Sequence, residues 1–79
     1  MQPSLSIRFG QVIRTLRNEA GMSQVVFAER CGFYQTYLSR IETGQANPSL
    51  NAIEVISNSL GITVFELFER IREHSRKRS

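Results

Sequence analysis

The stretch from Gln24 to Thr43 constrains this chain more than any other. An alanine, Ala28, and a glycine, Gly32, stand four residues apart there, among Phe27, Cys31, Phe33, Leu38 and Ile41. That pattern suits two short helices crossing steeply. Ala28 is small enough to let the helices approach closely. Gly32 can take the φ > 0 backbone of a sharp turn without a Cβ clash. Phe27, Cys31 and Phe33 then bury the inner side of the bend. Leu38 and Ile41 anchor the second helix and leave its other face outside. An ordinary amphipathic helix pair does not require this alanine and glycine at that spacing.

Glycines punctuate the rest of the chain in the same way. Phe9, Ile13 and Leu16, with Val12 beside them, form a helical stripe that predicts a first helix over 7–20, stopped by Gly21. Ser23 is an N-cap for a helix over 24–31, and a third helix over 35–43 ends at Gly44. Pro48 disfavours helical backbone at Asn47, so residues 45–48 read as a loop. Ser49 caps a fourth helix reaching Leu60, with Leu50, Ile53, Ile56 and Leu60 on one face, and Gly61 stops it. Thr63-Val64-Phe65-Glu66 has the form of a capping box opening a fifth. No segment alternates with period two for long enough to predict a strand. The fold class is all-α: five helices in one domain spanning 1–79, with a helix-turn-helix at 24–43 and a frayed basic tail at 76–79.

A chain of 79 residues must build one compact core, gain stability from a partner, or do both. The net charge of +3 says less than its distribution. Residues 1–49 carry five Arg and three Glu, residues 50–69 three Glu and no base, and the last ten residues five bases against Glu73. Nine of the ten bases are Arg, which favours forked recognition of phosphate or guanine. The single Cys31 excludes an intramolecular disulfide and a four-cysteine zinc site, and reads as a small core residue in a cytosolic protein. Arg8, Arg14 and Arg17 interrupt the apolar residues near the start, so neither a signal peptide nor a membrane span is expected. With no Asp, one His (His74, read as solvated) and one Cys, no catalytic triad, metal-ligand set or phosphate loop can be assembled. The chain reads as a non-enzyme with no cofactor and no small-molecule ligand.

Gly21-Met22-Ser23-Gln24, Phe27-Ala28, Leu38-Ser39-Arg40-Ile41-Glu42-Thr43-Gly44 and Asn47-Pro48-Ser49-Leu50 together resemble the phage-repressor-like (Cro/repressor, or XRE) helix-turn-helix family. The resemblance covers roughly residues 7–68. The length and the long fifth helix also resemble the small controller proteins of restriction–modification systems. The family docks its third helix in the major groove of double-stranded DNA. Carried over, Gln35, Thr36, Ser39 and Arg40 are the base-reading residues, with Gln35 suited to adenine and Arg40 to guanine. Gln24, Tyr37, Thr43 and Asn47 are candidates for phosphate contact. Arg17 and Glu42 occupy positions that the family pairs in a partly buried ion pair. Tyr34 departs from the Ser or Thr common at the cap of the third helix. Either the first turn is shifted or Tyr34 itself faces the DNA.

The fifth helix carries more apolar surface than one small domain covers. Ile62 and Leu67 suit the core, and Val64, Phe65, Phe68 and Ile71 remain for a two-fold contact between copies. The alternative for Phe65 is to lie flat over the first helix. The expectation is a cytoplasmic, nucleoid-associated transcriptional regulator that binds a palindromic operator as a homodimer. The competing class is an antitoxin-type interaction module with autoregulatory DNA binding. The short segment after the fifth helix argues against it.

Overall fold

The computed structural model describes residues 3–77. Five helices follow one another: α1 Leu5–Glu19, α2 Gln24–Cys31, α3 Gln35–Glu42, α4 Leu50–Ser59 and α5 Val64–Lys77. Among the described residues there is no strand. Four helix starts are held by hydroxyl side chains. Ser4, Ser23 and Ser49 accept from the backbone N–H three residues on. Thr63 and Glu66 bond each other's backbone N–H at 3.0 and 2.9 Å, the reciprocal capping box. Ser4 explains why α1 begins two residues earlier than its apolar stripe suggested.

Gly32 sits at φ 76°, in the left-handed region that a Cβ disfavours. There the Phe33 N–H donates to Ala28 O at 2.8 Å and the Gly32 N–H to Glu29 O at 3.1 Å. These bonds use up carbonyls that the end of α2 would leave unpaired, and they turn the chain sharply into α3.

One core joins all five helices: Phe9, Val12, Ile13 and Leu16 from α1, Phe27, Ala28 and Cys31 from α2, Leu38 and Ile41 from α3, Ile53 and Ile56 from α4, Leu67 and Ile71 from α5. At Gly10 α1 lies directly against the backbone of α3. A Cβ there would overlap the carbonyl oxygen of Ile41 and lie 2.6 Å from that of Glu42. Arg8 ties the start of the chain to the end of α5, its Nε donating to Pro3 O at 3.0 Å and its NH1 to Ser75 Oγ at 2.9 Å.

Four expectations need correction. Ile71, assigned to an interface, is buried in the chain's own core. Spacing permits 64-67-71 as well as 64-68-71, and the packing of α5 on α1 and α4 selects the first. Leu50, assigned to the inner face of α4, is 83% exposed because it opens the first turn, outside the packed stripe. His74 is half-buried, with its Nε2 2.9 Å from Gln11 Oε1, rather than solvated. Finally, the supposed frayed tail is helical through Lys77; Arg78 and Ser79 lie outside the described residues.

Candidate nucleic-acid interface

Eight residues of α3 divide their duties by direction. Leu38, Ile41 and Glu42 point inward and are buried. Gln35, Thr36 and Arg40 point outward and are exposed, with Ser39 half-buried between them. Together with Gln24 of α2, these four line a shallow depression on the surface. The structure therefore brings all four proposed base-reading residues to one face. The helix starts at Gln35 without a shift, and Tyr34 takes the cap position with its side chain in solvent.

Beneath that face lies a polar network. Arg17 Nε donates to Glu42 Oε2 at 2.7 Å and Arg17 NH2 to Glu42 Oε1 at 3.0 Å, a forked and nearly solvent-free ion pair. Arg17 NH1 donates to Met22 O at 2.8 Å and to Asn18 Oδ1 at 3.2 Å, so the guanidinium also pins the link between α1 and α2. Gln24 Nε2 donates to Glu42 Oε1 at 3.0 Å, and Gln24 Oε1 accepts from Gln35 Nε2 at 3.5 Å. A chain of bonds thus runs from the buried pair to the first outward residue of α3. Burial on this scale favours ion pairs only when each charge keeps its hydrogen bonds, and these do.

The remaining candidates are held by contacts of their own. Tyr37 is half-buried against Phe33, ring centroids 5.1 Å apart and edge to face. Thr43 turns its hydroxyl back onto Ser39 O at 3.0 Å. Asn47 Oδ1 accepts from Ser6 Oγ at 2.8 Å, which fixes the loop after α3 to the start of α1. Cys31 stays in the core, where burial pushes its thiol above the ordinary value; the Ser59 hydrogen bond and Arg30 pull the other way. That environment disfavours the reactive thiolate.

On α5, Phe65 is 85% exposed and does not lie over α1. Phe68 is partly exposed, tilted over Phe9 at 6.3 Å, and Val64 is half-buried against the core. Leu5 and Phe68 line an apolar cleft with Phe9, Pro48 and Ile53. Leu5 and Leu50 add exposed apolar surface that sequence reasoning had not placed there. Each opens the first turn of its helix, outside the packed stripe.

Two eight-residue helices joined at a left-handed glycine, the second polar outside and apolar within, define a helix-turn-helix domain. A family described as a helix-turn-helix domain matches residues 8–67. Control protein C.MunI of a Mycoplasma species is 44% identical over 70 residues, covering 87% of this chain and 95% of that one. The crystal structure of the restriction–modification controller protein C.AhdI from Aeromonas hydrophila aligns with a TM-score of 0.76 at 39% identity, over 78% of this chain and 94% of that one. The controller C.Esp1396I, solved as a tetramer in complex with its natural 35 base-pair operator, aligns at TM-score 0.84 and 27% identity, over 92% and 96% of the two chains. The chain belongs to the helix-turn-helix family of transcriptional regulators. Among the described residues, no helix is long and apolar enough to cross a membrane.

Proposed function

We propose that this regulator is a sequence-specific DNA-binding protein of the restriction–modification controller kind, which reads a palindromic operator as a homodimer. The observation that carries the reading is the outward face of α3, presented on a helix whose inner face is fully packed. Arg40 suits the two acceptors of guanine, and Gln35 the acceptor and donor of adenine. Thr36 offers a methyl to thymine, and Ser39 a hydroxyl to a base edge. Tyr37, Thr43 and Asn47 meet backbone phosphates. Gln24 has a further amide hydrogen beyond the one it gives Glu42, and that hydrogen reaches a phosphate at the start of α2.

Phe65, Phe68 and Val64, extended by Leu5 and Leu50, form the contact between copies. A two-fold axis there would set the recognition helices about one DNA turn apart. Regulation is by binding, with no catalytic step and no cofactor, and it takes place on the nucleoid in the cytoplasm. Near-complete coverage of the controller relatives favours this reading over an antitoxin module. Selection of bound duplexes from random DNA tests it. The expected product is a symmetric site with half-sites about 10 base pairs apart between centres. Recovery of an asymmetric site, or of no enriched sequence, would overturn it.

A further inference from the structure

Four of the five helices begin under a Ser or Thr hydroxyl that accepts a backbone N–H, and α3 does not. Tyr34 fills its cap position with a phenol that cannot fold back onto the N–H groups of the first turn, and no side-chain cap bond forms. The ring is also 87% exposed, the most exposed large apolar side chain among the described residues. It stabilises neither the helix start nor the core. A Ser at this position would supply the missing cap. The residue therefore weakens the domain at the edge of its outward face, directly before Gln35.

We infer that Tyr34 is a further DNA-contact residue: its hydroxyl donates to a backbone phosphate flanking the bases read by α3, and its ring covers the adjoining sugar. The inference rests on α3 being the recognition helix. Tyrosine is one of the side chains that hold phosphate and sugar in such interfaces, where contacts fix register without reading sequence. Its exposure leaves the ring unobstructed by the rest of the chain. The nearby Tyr37 differs, because Phe33 already holds its ring at the domain edge.

The test is the intact protein carrying Tyr34→Ser, Tyr34→Phe or Arg40→Ala, each titrated against the selected operator and against a scrambled duplex, with thermal unfolding measured alongside. Tyr34→Ser should melt a few degrees higher, because the cap is restored, roughly as expected for a domain this size. The same variant should bind both duplexes roughly tenfold or more weakly, the loss expected of a hydrogen bond to a charged group. Tyr34→Phe keeps the ring and should show most of that loss with unchanged melting. Unchanged affinity in Tyr34→Phe and Tyr34→Ser would overturn the inference. So would a loss confined to the selected operator, which would make Tyr34 a base reader. Arg40→Ala reports on the underlying reading separately: if it too leaves operator preference intact, α3 is not the recognition helix and the inference falls with it.

Discussion

Glu42→Ala removes the acceptor of three hydrogen bonds, two from Arg17 and one from Gln24. The Arg17 side chain is 8% exposed, so its guanidinium would stay buried with only Met22 O and Asn18 Oδ1 to satisfy it. Stranding one partner of a buried pair costs about 3–5 kcal/mol. Domains of this class hold only about 5–15 kcal/mol in total, so the variant should sit near its folding threshold. Its melting temperature should fall by on the order of 20 °C. The companion is Arg17→Met with Glu42→Leu, which removes both charges and fills the space with apolar atoms. That double variant should recover to within about 1 kcal/mol of the parent, because no desolvated charge remains. Urea unfolding in the cold, followed by far-UV circular dichroism, measures both. A loss below about 1 kcal/mol in Glu42→Ala would show the pair behaving like an exposed one, and the desolvation argument would be wrong. A double variant as unstable as the single one would assign the loss to packing instead. Either outcome refutes the account given above.

Arg40→Ala should weaken binding to the cognate operator by roughly 1–3 kcal/mol and relax preference at one base pair in each half-site, with gel-shift competition as the assay. Phe65→Asp should yield a folded monomer that binds single half-sites weakly, seen by sedimentation; a dimer at micromolar concentration would place the interface elsewhere. Gly10→Ala should destabilise by about 1–3 kcal/mol or more, since the added methyl meets α3 backbone that cannot rotate aside. Cys31 should react slowly with thiol reagents in the folded protein and rapidly in urea. Because burial resists ionisation of its thiol, the fold should lose stability as pH climbs through the alkaline range, where the unfolded chain gives up that proton first.

Helix order was legible because its signals are local: each cap and each stopping glycine lies beside the helix it bounds. The placement of Ile71 was not a local matter. Both 64-67-71 and 64-68-71 obey helical spacing, so only the surface offered by α1 and α4 puts Ile71 inside and Phe68 at the edge. Gly10 escaped notice for a related reason, since its need comes from α3 carbonyls that lie more than thirty residues away. The Arg17–Glu42 pair was found through resemblance, whereas its extension to Gln24 and Gln35 required coordinates. Glutamines at those positions look like any exposed amides until Glu42 is seen beneath them.

The division of α3 into inward and outward residues also bears on how such regulators diverge. Thr36 and Arg40 are exposed on the outward face, so on the proposed reading drift at these two positions retargets the protein to a new operator at little cost in stability. Gln35 is tethered through Gln24 to the buried pair. A substitution at Gln35 therefore leaves the Gln24 amide without that neighbour unless Gln24 changes as well. Divergence should accordingly proceed one residue at a time at Thr36 and Arg40 and by a coupled pair at Gln35.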